Sequence, residues 1–187
     1  MFYDVTLPLT KEQFVPAGKP FNGHVGSHFD GMDVEFPLEY AVREGIVFDI
    51  SKFDPEHEAA VSEIDLEKVK PGMFVCFYSG FIEKEAYGTE PYRKLHPQLT
   101  DELIRALVEK GIAFIGLDFA GVRRGAEHHP ADVYCAEHNV FVIENLRGLG
   151  ALVGKDDLIF HTLPLSVTDL PAIPCRVVVQ ESGDNSQ

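Results

Sequence analysis

Gly23-His24-Val25-Gly26-Ser27-His28-Phe29-Asp30 places two imidazoles and a carboxylate within seven residues, with Gly26-Ser27 between the imidazoles. Imidazole nitrogen and aspartate oxygen are the donor types of catalytic zinc-like sites that keep one position open for water. Fully extended, four steps would part the His24 and His28 backbones by about 13 Å, too far for their side chains to converge on one ion. Convergence requires a bend at Gly26-Ser27, where glycine tolerates backbone angles that other residues do not. His28 and Asp30, two apart, already point to the same side of an extended segment. The stretch predicts a metal-binding loop. The same spacing also suits two surface histidines and an aspartate in a glycine-rich turn, and spacing alone leaves both readings open.

Working outward, Phe2 to Leu9 reads as a first strand, followed by a Pro/Gly-rich loop that runs into the His/Asp cluster. Phe36 to Arg43 is ambiguous between strand and helix. Gly45 to Ile50 reads as a short strand, Ile64 to Lys70 as a brief helix before the Pro71-Gly72 turn, and Met73 to Tyr78 as a strand buried on both faces. Thr100-Asp101-Glu102 followed by Leu103, Ile104, Leu107 and Val108 predicts a capped helix closing at Lys110-Gly111. Ile112 to Leu117 is a strand ending in Asp118, Pro130 to His138 a short helix, and Val140 to Ile143 a strand ending in Glu144. Asp157 to Leu163 and Cys175 to Val179 complete the set, before a polar tail from Glu181 to Gln187 that is expected to fray. Strands alternating with a few helices, without repeat or linker, predict one α/β or α+β domain over residues 1–187. Asp118 and Glu144, at strand ends, are candidate pocket residues. The loop from Arg123 to Asp132 gathers further polar groups, and for His128 and His129 individually a solvated loop is the expectation.

Composition narrows the class. A chain of 187 residues, 45% hydrophobic and 25% charged, can bury a core without disulfides. Cys76, Cys135 and Cys175 are scattered, which argues against a disulfide framework or a cysteine zinc site. They are expected to pack as small hydrophobes. A net charge of −14 repels nucleic-acid phosphates and anionic lipid. No apolar run approaches the roughly 20 residues that span a bilayer, and the first residues carry no basic leader, so the cytoplasm is the expected compartment.

His24-Val25-Gly26-Ser27-His28-Phe29-Asp30 resembles the signature of the cyclase family, which includes bacterial kynurenine formamidases and isatin hydrolases and whose motif runs H-x-G-T-H-x-D-x-P-x-H. Tyr3-Asp4-Val5-Thr6, Leu95-His96-Pro97-Gln98-Leu99, Ile143-Glu144-Asn145-Leu146, Pro164-Leu165 and the segment Pro174 to Val179 extend the resemblance over nearly the whole chain. It implies a swivelling β/β/α single domain with a mixed sheet core, a Zn²⁺ or Mn²⁺ site, and a homodimer or homotetramer. His24, His28 and Asp30 carry over as metal ligands directly and Glu144 by position. Two departures stand out: Met32 and Val34 replace the motif's proline and last histidine, and Asp132 stands twelve residues before Glu144 where the family has another histidine. Asp33 and Asp132 are the carboxylates that could compensate.

The expected activity is metal-dependent hydrolysis of an amide or cyclic amide of a small molecule. Glu144, Asp33 and Asp132, in that order, are the candidates for moving the proton. Two histidines with oxygen donors suit Zn²⁺, additional carboxylates favour Mn²⁺, and Ca²⁺ fits less well. The alternative is a metal- or ligand-binding member without catalysis, to which Val34 and Asp132 point. Tyr87, Tyr92 and His96, in a polar segment before the capped helix, receive no role.

Overall fold

Three short apolar runs, Phe74–Tyr78, Phe114–Leu117 and Phe141–Glu144, are buried almost throughout and form the parallel centre of the structure. Burial on both faces is what removes the usual apolar/polar alternation from such strands. The computed structural model describes residues 1–15, 21–54 and 56–182. Its strands are β1 (Phe2–Asp4), β2 (His28–Asp30), β3 (Val42–Asp49), β4 (Glu58–Ala59), β5 (Phe74–Tyr78), β6 (Gln98–Leu99), β7 (Phe114–Leu117), β8 (Phe141–Glu144), β9 (Leu158–Pro164) and β10 (Ala172–Glu181). Its α-helices are α1 (Lys11–Phe14), α2 (Phe81–Lys84), α3 (Glu90–Lys94), α4 (Asp101–Glu109) and α5 (His128–Glu137).

Eight strands run in the order β1-β10-β2-β8-β7-β5-β3-β9, and β9 pairs back onto β10, so the mixed sheet closes on itself. β3, β5, β7 and β8 are parallel, whereas β2, β9 and β10 pair with their neighbours antiparallel. Alternate side chains then serve two cores. Phe29, Phe74, Phe114, Phe141 and Phe160 fill the barrel, with ring centroids 4.6 Å apart for Phe74–Phe160, 4.9 Å for Phe74–Phe114 and 4.8 Å for Phe29–Phe141. Val75, Phe77, Ile115, Leu117 and Val142 face the other way, into a cluster shared with Leu103 and Leu107 of α4. Since Phe29 points into the barrel, His28 and Asp30 on either side of it project from the outer face.

The capped helix forms as its residues dictate: Thr100 Oγ1 accepts from Leu103 N–H at 3.2 Å, acids occupy the first turn, and Leu103, Ile104, Leu107 and Val108 are buried. Elsewhere the sequence-based expectations need correction. β1 stops at Asp4, because Thr6 N–H turns to Asp4 Oδ1 and Leu7 N–H to Ser27 Oγ instead of a strand partner. The ambiguous stretch from Phe36 becomes one 3₁₀ turn, Leu38–Tyr40, leading into β3, which starts at Val42 rather than Gly45. The helix expected over Ile64 to Lys70 is a single 3₁₀ turn, Leu66–Lys68, capped by Asp65. Glu181 ends β10 and Lys155 Nζ lies 2.7 Å from its Oε1, so the expected fraying does not start there, and residues 183–187 lie outside the described residues, as do residues 16–20 of the Pro/Gly-rich loop. All three cysteines are free and buried. Among the described residues no helix is long and apolar enough to cross a membrane.

Phe74 is fully buried between Phe114 and Phe160. Phe74→Ala should therefore lower unfolding free energy by about 3–5 kcal/mol, read as a lower urea midpoint at unchanged slope.

Candidate metal centre

The loop before β2 bends where the sequence leads one to expect it. Gly26 has φ +62°, and a Cβ there would stand 2.6 Å from Leu9 Cδ1; Gly23 has φ +85°, and a Cβ would collide with the Ala172 carbonyl. Both positions demand glycine. The Gly26 backbone is held on both sides of its Cα: its N–H donates to Tyr87 Oη at 2.7 Å, and its carbonyl accepts from Asn145 Nδ2 at 2.9 Å. Ser27 Oγ donates to the Asn145 carbonyl and accepts from Leu7 N–H, both at 2.8 Å.

β2 then pairs antiparallel with β8, and the register sets His28 opposite Glu144 and Asp30 opposite Val142. Directly opposed residues share one face of a sheet, as do residues two apart. His28, Asp30 and Glu144 therefore meet on the outer face, all three almost fully buried. His28 Nε2 lies 3.4 Å from Asp30 Oδ1 and 3.5 Å from Glu144 Oε2, and His24 Nε2 lies 3.5 Å from the same Asp30 oxygen. His28 Nδ1 sits 2.8 Å from the Gly26 carbonyl, which requires the proton on Nδ1 and turns Nε2 toward the carboxylates.

α5 supplies the rest. His128 and Asp132, one turn apart on one helix face, meet Glu144 from above: His128 Nε2 is 2.9 Å from Glu144 Oε1 and 3.1 Å from Asp132 Oδ2. Two donor groups result, His24/His28/Asp30 and His128/Asp132/Glu144, with the donor atoms of each within 4.8 Å of one another. The approach to α5 is anchored by the buried Arg123, whose guanidinium donates to the Leu99 carbonyl at 2.8 Å, Glu58 Oε2 at 3.0 Å and Glu127 Oε2 at 2.6 Å.

The electrostatics fit a divalent cation. Three buried carboxylates within one cluster repel each other in a medium that screens poorly. Burial pushes Asp132 up to about 7. For His28, burial opposes the charge, yet Asp30 and Glu144 outweigh it and raise the imidazole to about 9. Hydrogen bonds to Asp132 and Glu144 raise His128 to about 11. His24 is lowered, chiefly by burial. Four buried polar atoms of this cluster nevertheless lack a hydrogen-bond partner among the described residues: His28 Nε2, both Asp30 oxygens and Asp132 Oδ1. Buried polar atoms are rarely left so, and imidazole nitrogens and carboxylate oxygens aimed at one another are donors that a divalent metal ion takes.

Of the residues singled out from the sequence, the structure brings together His24, His28, Asp30, Asp132 and Glu144, and it separates Asp33 from them. Gly31 and Met32 N–H both donate to the Pro171 carbonyl, and Met32 and Asp33 adopt positive φ of 47° and 67°. That turn throws Asp33 out of the sheet into an exposed groove with Val34, Leu165 and Asp169. His128 needs the opposite correction, since the expected solvated loop is the first turn of α5 and its imidazole lies in the cluster. The spacing of His128 and Asp132, four apart, was the available signal. Asp118 does not join the site; it accepts from Ser79 N–H, Ser79 Oγ and Gly80 N–H, tying the end of β7 to the loop after β5.

In chelator-treated protein, His28 and His128 bind protons more tightly folded than unfolded. Their contribution to stability is complete below about pH 6.5, the unfolded value. It fades as pH rises through about 9 for His28 and about 11 for His128. Melting temperature of the chelated protein should fall from pH 7 to pH 10, and the fall should shrink in His28→Gln.

The family model described as putative cyclase matches residues 3–123. No curated protein matches the chain significantly. Among solved structures, one described as a potential metal-dependent hydrolase with cyclase activity is 23% identical, with TM-score 0.74 and 98% of each chain covered. Isatin hydrolase A from Labrenzia aggregata is 20% identical, with TM-score 0.75, covering 95% of this chain and 93% of that one. A predicted metal-dependent hydrolase from Bacillus stearothermophilus is 23% identical, with TM-score 0.70, covering 96% and 97%. These likenesses, at low identity, show the fold. With the family match extending over most of its length, the chain belongs to the putative cyclase family.

Proposed function

We propose that the chain is a metal-dependent hydrolase that cleaves an amide or cyclic amide bond of a small molecule. The observation that carries this reading is the set of buried, partnerless donor atoms on His28, Asp30 and Asp132. His24, His28, Asp30 and Glu144 would hold the ion, and Asp132 with His128 completes the cluster. When bound, a divalent ion acidifies water and polarises a carbonyl oxygen. Zn²⁺ or Mn²⁺ suits this mixture of imidazoles and carboxylates better than Ca²⁺. The descriptions of the structural neighbours, metal-dependent and isatin hydrolases, support the class of chemistry.

The residues divide the remaining work. His28 is oriented by the Gly26 carbonyl, so its Nε2 stays aimed at the carboxylates. Glu144 spans the cluster, with Oε2 toward His28 and Oε1 toward His128. His128 Nε2, which Asp132 holds in place, can give its proton to a leaving nitrogen and take back through Glu144 the proton that the attacking water loses. Next to His24 opens a cavity of about 500 Å³, walled by Phe14, Phe21, Val25 and Tyr87, that suits the apolar body of a small substrate. The family resemblance adds a homodimer or homotetramer to this reading.

A second reading is a member that binds metal or ligand without turnover. Val34, in the position of the family motif's last histidine, favours it, since its side chain is 38% exposed in the neighbouring groove and can carry no proton.

Elemental analysis of the purified protein, with assays against formanilide, lactams and cyclic imides, separates the two. His28→Ala should lose both metal and turnover. His128→Gln should keep the metal and lower kcat by about 10²-fold or more. Full activity in His28→Ala, or metal without turnover on any of these substrates, would sink the hydrolase reading. Metal uptake should also release protons from His28 and His128, seen as a binding enthalpy that varies with buffer ionisation at pH 7.

A further inference from the structure

Tyr87 lies between α2 and α3, and its hydroxyl is used on one side only. The oxygen accepts from Gly26 N–H at 2.7 Å, inside the loop that carries His24 and His28. Among the described residues its own O–H donates to no acceptor. The ring is clamped edge-on against Tyr92 at 5.6 Å between centroids, and Tyr92 is itself buried with its hydroxyl donating to Asn145 Oδ1 at 2.7 Å. Tyr87 is half-buried and lines the same cavity as His24. Burial, with a contribution from the Glu144 charge, pushes its phenol up, so the proton stays on the oxygen.

A rigid phenol with a spent lone pair and an unspent proton, beside a candidate catalytic centre, is a preorganised hydrogen-bond donor. We propose that Tyr87 Oη–H donates to the carbonyl oxygen of the substrate, and so that the site takes a neutral carbonyl compound (an amide, lactam or imide) with an apolar body against Phe14, Phe21 and Val25. This rests on the hydrolase reading of the same site. As water adds, the carbonyl oxygen gains negative charge, and a fixed donor binds that oxygen more strongly than the ground-state carbonyl. The proton stays on Tyr87 throughout. The Gly26 amide fixes where the phenol oxygen sits, which links the position of the donor to the loop that positions His24 and His28.

Tyr87→Phe removes the donor but also frees the Gly26 amide, so loss of activity alone does not separate donation from loop support. The test is the carbonyl stretch of ¹³C-labelled acetanilide bound to the metal-loaded protein, compared between wild type, Tyr87→Phe, and protein carrying fluorotyrosine at residue 87. Donation by Tyr87 gives a lower frequency in wild type than in Tyr87→Phe, and a further lowering as fluorination makes the phenol more acidic. With formanilide, kcat should drop about 10²-fold in Tyr87→Phe at unchanged metal content. An identical acetanilide frequency in wild type and the fluorotyrosine protein, or no binding of acetanilide, overturns the assignment. Should Tyr87→Phe not fold, the fluorotyrosine comparison decides alone. Wild type that shifts the acetanilide band yet leaves formanilide intact upholds Tyr87 as the donor while overturning the hydrolase reading.

Discussion

The site depends on how the backbone of one residue, Gly26, is held. Its N–H is clamped by Tyr87 and its carbonyl by Asn145 and His28. A satisfied residue in a left-handed conformation is stable where a free one would be costly, because buried backbone groups without partners are strongly disfavoured. The clamp draws on distant parts of the chain: Tyr87 from the segment before α3, Asn145 from the residue after β8. The bend between His24 and His28 is thus a property of tertiary structure that a glycine permits. Asn145 adopts φ +58° as it leaves β8, and from there its side chain reaches Gly26 and Tyr92 while its carbonyl takes Ser27 Oγ–H.

The β2–β8 register provides the second constraint. A slip by one residue would turn His28 and Asp30 into the barrel, against Phe141 and Phe114, and bring Phe29 out. Filling the barrel with phenylalanine makes that slip expensive, so the apolar core enforces the polar cluster on the opposite face. Three carboxylates come together at this point, and folding tolerates them because His28 and His128 hold protons among them, or because a divalent cation takes the protons' place. A chain already carrying a net charge of −14 gains from any local cation.

Asp132, where the family resemblance implies a histidine, does not leave its side of the cluster without an imidazole. Asp132 occupies the inner face of α5, and His128, one turn earlier, brings an imidazole back into the same space. A helix offers this substitution at i and i+4 without moving the backbone. Val34 has no such neighbour, because the turn at Met32 and Asp33 leaves the sheet before that residue is reached.

Local chemistry was readable in the amino-acid order. Apolar runs of four or five residues marked β5, β7 and β8, Thr100 with two following acids marked α4, and the His24–Asp30 spacing marked the donor loop. Those signals are short-range, set by side-chain period, capping and ligand chemistry. Closure of the sheet through β9 and β10 was beyond its reach, as were the single 3₁₀ turn that replaced an expected helix, the exclusion of Asp33 and the contact of His128 with Glu144. Each of these depends on which residues from remote segments supply a hydrogen bond or a packing surface. Pro171 takes the Gly31 and Met32 amides, and Glu144 takes His128. The sequence by itself determined the kinds of donor and the strands that bear them; only the tertiary structure decided which donors share a face, because hydrogen-bond partners and strand register are contacts between distant parts of the chain.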